Sequence, residues 1–359
     1  MKLYRPYLEQ GIAGTFRVVT PVQLGDRLIS LWHEIPDAYA PHASYATNNA
    51  GLVALLLEAM RCNEAITCEA PVSAKLLRNL RYYMHAMKSL YRSLNVVEIH
   101  AESIPTASIP SSTVSHRAMG LSCGVDSLST LMDWSYRCQQ PERKLTCLFF
   151  VDAGSHGRGH VAEELFKARL RRVESAAKLI GLPLIVICSN VNEIVTVPFE
   201  DSHAARTVSC VLSLEGYVGS YLMASTNSYR DLCPDGSNSL CDQLLSSDRM
   251  EVVHDGAQFS RVEKTQRIAS WDMTHTHLNV CTMVTREARN CSSCFKCMLT
   301  MLALELLGLQ GEYSAVFDYS SYRKLRGDFI ARMHARGTGS PNFYWRELVD
   351  YAAKSGSSL

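Results

Sequence analysis

The stretch Ala118-Met119-Gly120-Leu121-Ser122-Cys123-Gly124-Val125-Asp126-Ser127 decides how the rest of the chain is read. Ala118–Leu121 has the apolar character of a buried strand end, and a glycine-bearing turn follows it. Leu128, Leu131, Met132 and Trp134 then recur at helical spacing. Such a junction leaves the first helical amides free, and the helix dipole favours an anion in front of them. Gly124 lets the backbone come close to a phosphate. Ser122 and Ser127 offer hydroxyl donors, and Asp126 can hold Mg2+ or orient a helix-end amide. The lysine of a Walker loop is missing after the second glycine. The plainer reading of the same residues is a strand–turn–helix junction that Asp126 and Ser127 merely cap.

Working outward, the pattern after this turn alternates strand and helix. Leu145–Val151 is a continuous apolar run, as a parallel strand covered on both faces requires. A helix is expected over Val161–Ile180, ended by Gly181 and Pro183, then a strand at Leu184–Cys188. A helix at His203–Tyr217 and a fourth strand at Tyr221–Ala224 complete the series. Repeated βα units predict an α/β fold with an open, mostly parallel sheet, whose ligands sit beyond the carboxyl ends of the strands.

Upstream, Phe16–Thr20, Ala65–Glu69 and Val96–His100 read as strands and Leu52–Met60 as a helix. Ser73 is a candidate N-cap for a helix carrying Leu76, Leu77, Leu80, Tyr83, Met84 and Met87. Between Ala101 and Ser115 the chain is rich in Ser, Pro and Thr without periodicity, which places a domain boundary near Ile109. Residues 1–109 are then an N-terminal α+β accessory domain. Residues 110–359 form the nucleotide-binding domain, with aromatic-rich helical packing at Tyr313–Tyr351.

Composition narrows the classes. Hydrophobic residues at 47% and charged residues at 20% are the balance of a globular chain. A net charge of +1 gives no support for a nucleic-acid coat or a membrane-surface protein. The opening MKLYRPYLEQGIAG has no apolar core of signal type, and the run Leu52–Leu57 is too short to cross a bilayer, so a cytoplasmic protein is expected. Thirteen cysteines, an odd and scattered set, argue against a disulfide framework. Cys62, Cys138, Cys147, Cys188 and Cys210 sit in apolar neighbourhoods and are expected to be buried.

Four cysteines differ. Cys281, Cys291, Cys294 and Cys297 form C-x9-C-x2-C-x2-C, with Cys294 and Cys297 on one face at the start of a helix that runs to Gly308. Four thiolates at chelating spacing fit a closed, structural Zn2+ site. An iron–sulfur cluster is the competing reading, but Met301 and Leu302 stand where a fourth ferredoxin cysteine and its proline belong.

The turn Ser122–Ser127 resembles the SGGxDS signature of the PP-loop ATP pyrophosphatase superfamily, with Cys123 in place of the signature's first glycine. Together with the downstream cysteines it is similar to the QueC-like branch, the 7-cyano-7-deazaguanine synthases, from about Leu121 to Gly308. The resemblance implies an adenine nucleotide alpha hydrolase-like fold, with ATP, Mg2+ and Zn2+ as cofactors. It implies an ATP-dependent C–N ligase-type reaction that adenylates a carboxylate or amide oxygen and then transfers nitrogen. Ser122, Cys123, Gly124, Val125, Asp126, Ser127 and Lys264 are the implied nucleotide-binding residues, Asp126 and Lys264 the implied catalytic ones. Lys264 and Arg261 lie one helical turn apart, so both can face one anion. Asp152 falls where adenosine lies by analogy. Pro234–Asn238, Asp242 and His254–Gly256 are candidates for lining a substrate pocket. The partner is then ATP with a small-molecule or protein carboxylate or amide, with no membrane and no indicated nucleic acid; a homodimer or multi-protein complex is left open. Two rivals are a PP-loop sulfurtransferase acting on tRNA and a non-catalytic nucleotide-binding partner in a multi-protein system.

Overall fold

The hairpin Thr15–Leu24 (β3) and Arg27–Pro36 (β4) turns in two residues, with Gly25 supplying the φ of 54° that the reversal needs. These strands follow Lys2–Leu3 (β1) and Tyr7–Gln10 (β2). The computed structural model describes residues 1–12, 14–104, 116–283, 287–337, 343–357 and 359. Asn49–Cys62 (α1), Ile66–Cys68 (β5), Val72–Ser73 (β6), Ala74–Leu90 (α2), Ile99–His100 (β7) and Ser103–Ile104 (β8) complete the first segment. Ser73 caps α2 as its sequence suggests, accepting a hydrogen bond from the Leu76 amide.

The second segment opens with His116–Gly120 (β9) and Val125–Leu131 (α3), which runs on through a π-helical turn at Met132–Tyr136. Cys147–Asp152 (β10), His160–Ile180 (α4), Leu184–Ser189 (β11), Val191–Ile194 (α5), Phe199–Leu212 (α6) and Val218–Ala224 (β12) follow. Gly181, left-handed at φ 76°, ends α4 where the sequence places its stop. A fifth strand, Glu251–Asp255 (β13), was not legible in advance, because EVVHD is short and polar at both ends. Arg261–Ile268 (α7), Met273–His277 (α8), Phe295–Leu306 (α9), Tyr319–Ala335 (α10) and Phe343–Ser355 (α11) close the chain.

Eleven strands share one open sheet in the order β13-β12-β9-β10-β11-β4-β3-β1-β5-β7, with β2 beside β3. The α/β expectation holds, with six parallel pairings against four antiparallel ones. The antiparallel join between β4 and β11, through Glu34 opposite Cys188, makes the first segment an extension of the sheet. The boundary expected near Ile109 lies outside the described residues. The segments on its two sides share hydrophobic core as well as sheet, for α1 and α2 pack with α6 over one face of the central strands.

Alternation along those strands divides the core. Ala118, Phe149, Tyr221 and Met223 face the side covered by α1, α2 and α6. Met119, Leu148, Phe150 and Leu222 face α3, α4, α7, α9 and α10. Among the described residues no helix is long and apolar enough to cross a membrane.

Of the cysteines expected to be buried, Cys147 and Cys210 are, Cys138 and Cys188 are half-buried, and Cys62 is exposed near the end of α1. The correction has a local cause: helix α1 turns its last residue outward beside Arg61.

Candidate functional site

Strand β9 occupies a special place in the sheet. From it the chain steps to β10 and β11 on one side, then returns to β12 and β13 on the other. A crevice opens where strand order reverses in this way, outside the carboxyl ends of the strands. The turn Ser122–Ser127 lies there.

Its internal bonding is compact. The Ser127 hydroxyl donates to the Gly124 carbonyl at 3.1 Å and lies 3.1 Å from the Ser122 hydroxyl, while the Gly124 amide donates to Ser122 Oγ at 3.3 Å. The first α-type bond of the following helix runs from the Leu128 amide to the Gly124 carbonyl. Cys123 adopts φ 59°, a left-handed conformation that glycine takes without cost and other residues do not. Its side chain points into the core, fully buried, and does not block the mouth of the turn. Burial pushes the Cys123 thiol up to about 12, against the pull of Arg172, so it is no nucleophile at neutral pH.

Asp126 gathers the distant charges. Arg261 Nη1 donates to one carboxylate oxygen at 3.0 Å and Lys264 Nζ to the other at 3.4 Å. Lys264 is only 1% exposed and also donates to the Ser225 carbonyl beyond β12. Gly256, beside the Lys264 chain, takes the left-handed φ of 90° that glycine adopts without strain. Burial raises the Asp126 carboxyl, but Arg261, Lys264 and Lys296 together outweigh it and hold the group below the usual carboxylate range. The anticipated pair Arg261 and Lys264 does converge on one anion, and in this structure that anion is Asp126.

Lys296 was missed. It lies between Cys294 and Cys297, where the cysteines draw attention, yet its ammonium is near enough to Asp126, Arg261 and Asp235 to feel their charge. Burial, then Arg261, lowers its proton affinity. One signal was available: a cation in the first turn of a helix opposes the dipole and needs another reason to be there. Glu347 on α11 was also missed. It accepts from the Arg261 amide at 2.9 Å, and burial raises its carboxyl to about 7.

Other candidates are engaged internally. Asp242, fully buried, accepts from the Ser237 hydroxyl at 2.6 Å and the Asn238 amide at 3.0 Å, and lies 2.7 Å from His254 Nδ1. Asp255 accepts from Thr130 Oγ1 at 2.8 Å and Trp134 Nε1 at 2.9 Å. These groups hold loops together, and Asp235 lies within electrostatic range of Lys296. Asp152 ends β10 and lies 3.0 Å from Nδ1 of the buried His156.

The four cysteines converge as their spacing implies. All four sulfurs lie within 4.8 Å of one another, with Cys281 to Cys294 at 4.0 Å and Cys291 to Cys297 at 3.9 Å. A tetrahedral ion about 2.3 Å from each sulfur sets them about 3.8 Å apart, so the cluster can hold a metal such as zinc with little movement. The knuckle is built for thiolates: the Cys294 amide donates to Cys291 Sγ at 3.2 Å, and Ser292 turns through φ 56°. Hydrogen bonding with Cys297 pulls the Cys294 thiol below its ordinary range.

No protein-family model, no curated protein and no solved structure matches the chain at a significant level.

Proposed function

We propose that the chain binds Mg-ATP across Ser122–Ser127 and uses it to adenylate a substrate oxygen, in the manner of a QueC-like PP-loop enzyme. The observation that carries this reading is the convergence of Arg261, Lys264 and Lys296 on Asp126, beside two serine hydroxyls, at the reversal of strand order. The three cations stand beside Asp126, with Asp235 near Lys296 and Glu347 near Arg261, and Arg261 and Lys264 can exchange Asp126 for a polyphosphate. Bound phosphate oxygens would take over Arg261 and Lys264, freeing Asp126 to hold Mg2+.

A substrate carboxylate or amide oxygen then attacks the α-phosphorus. The new O–P bond forms as the bond to the β-phosphate oxygen breaks, and pyrophosphate leaves with that electron pair. A nitrogen nucleophile displaces AMP. The residues act by positioning and charge stabilisation, with no covalent role for the protein. Zinc is the ion proposed for Cys281, Cys291, Cys294 and Cys297. With four protein ligands it supplies architecture and no open coordination position. A zinc-loaded sample is transparent near 400 nm, where an iron–sulfur cluster absorbs.

Purified chain incubated with Mg2+, ATP and a panel of carboxylates should release AMP and pyrophosphate. Asp126→Asn should slow that release by about 100-fold or more. Release of ADP and phosphate instead, or a fully active Asp126→Asn chain, would remove the mechanism. Calorimetric ATP binding without AMP formation would favour the non-catalytic nucleotide-binding partner, a reading that the pairing of Asp126 with Arg261 and Lys264 keeps in view. The sulfurtransferase draws no support from Cys123, which is buried.

A further inference from the structure

The phosphate turn and the cysteine cluster are tied by the backbone. The Cys123 carbonyl accepts from the Asn279 amide at 2.8 Å, two residues before Cys281. Left-handed backbone is unfavourable for a non-glycine residue and persists where neighbours over-determine it. Asn279 is itself fixed. Its Nδ2 donates to the Ala288 carbonyl at 2.7 Å, and the Val280 amide donates to Asn290 Oδ1 at 2.8 Å. Asn290 Nδ2 returns a bond to the Leu278 carbonyl at 2.9 Å. The strand-like strap 278–281 is therefore laced to the residues that lead into Cys291.

A second tie runs through α9. Cys294 is its N-cap and Cys297 lies in its first turn, with Lys296 between them. The knuckle that presents both sulfurs to one point also sets the rotation of α9. Lys296 sits in that first turn, within electrostatic range of Asp126, Arg261 and Asp235. Every ligand of the cluster is thus one or two residues from a group that shapes the anion site, or belongs to the knuckle that orients it.

We propose that metal binding by Cys281, Cys291, Cys294 and Cys297 assembles the polyphosphate site, with Asn279 holding Cys123 and Lys296 completing the ring of cations, so that metal and polyphosphate bind cooperatively. This rests on the reading of Ser122–Ser127 as a polyphosphate site. Reciprocity is required: whatever the metal adds to anion affinity, the anion adds to metal affinity. Asn279 and Lys296 act as positioning and binding groups and touch no bond that breaks.

Inorganic pyrophosphate is the probe, titrated calorimetrically into the zinc-loaded full chain and into the same chain stripped by a zinc-selective chelator. Stripping should weaken pyrophosphate binding about tenfold, within the usual range of site-to-site coupling. Saturating pyrophosphate should slow zinc transfer to the chelator by a similar factor. Lys296→Met should retain one zinc per chain and lose pyrophosphate affinity. Asn279→Ala, which keeps the amide bonded to the Cys123 carbonyl but frees the strap from the Ala288 carbonyl, should do the same to a smaller extent. Equal affinity in loaded and stripped chains overturns the coupling and leaves the anion site standing, as does wild-type affinity in both variants. A loaded wild-type chain that binds no pyrophosphate sinks the coupling and the anion site together.

Discussion

The four sulfurs of the cysteine cluster come from positions 281 to 297, whereas the turn Ser122–Ser127 is met directly by Arg261, Lys264 and Asn279, with Ser225 and Glu347 in turn bonded to Lys264 and Arg261. Both regions contain a non-glycine residue in left-handed backbone, Ser292 at φ 56° and Cys123 at φ 59°. They support it differently. Ser292 belongs to a knuckle closed by its own neighbours, and its hydroxyl accepts from the Asp318 amide at 2.9 Å. Cys123 is held by Asn279 and by the packing of its side chain in the core. A chelating cluster is a local object whose geometry follows from spacing. The turn Ser122–Ser127 is held by residues more than a hundred positions downstream.

The largest test of that contrast is Cys297→Ser. The substitution removes a buried sulfur from a cluster that can hold a metal, and in small zinc domains such a site contributes on the order of 10 kcal/mol. Stoichiometric metal should be lost by elemental analysis, with the 281–297 region opening to proteolysis while the sheet retains its circular dichroism. A chain that keeps one metal at wild-type affinity would break the local reading of the cluster.

A middle-sized effect is expected at Glu347, which accepts from the Arg261 amide. Its carboxyl titrates near 7 in the folded chain, raised by burial above its ordinary 4.5. The folded state thus holds a proton that the unfolded chain releases. The contribution to stability is complete below about 4.5 and fades as pH rises through 7, by up to about 3 kcal/mol. Glu347→Gln, which still accepts from the Arg261 amide, should flatten thermal stability between pH 5 and 7. An unchanged pH slope would detach α11 from the site.

The smallest effect belongs to Cys123→Gly. Relief of left-handed backbone, about 1 kcal/mol, is set against loss of a buried thiol of similar worth. Thermal unfolding should shift by only a few degrees. A large loss would show that the Cys123 side chain, more than Asn279, keeps the turn in shape.

These expectations mark how much could be read in advance. Strands β9 to β12, the caps at Ser73 and Gly181 and the cysteine cluster were all legible, because each rests on local periodicity, capping or spacing. Strand β13 was not, since EVVHD acquires strand character by pairing with β12. The polar residues Asp242, His254 and Asp255 looked available for a ligand, and only their tertiary partners show them engaged. Lys296 was hidden by the cysteines on either side of it.

By itself the sequence determined an α/β chain of alternating βα units, a glycine-bearing strand–turn–helix junction at Ser122–Ser127 and a four-thiol cluster. All three depend on interactions among residues close in the chain, where a side chain's neighbours are known from its position. Only the tertiary structure decided that the first segment extends the same sheet through β4 and β11, and that Arg261, Lys264 and Lys296 meet at Asp126. Those outcomes depend on which buried faces and charges find each other across more than a hundred residues, a matter of packing that no local pattern encodes.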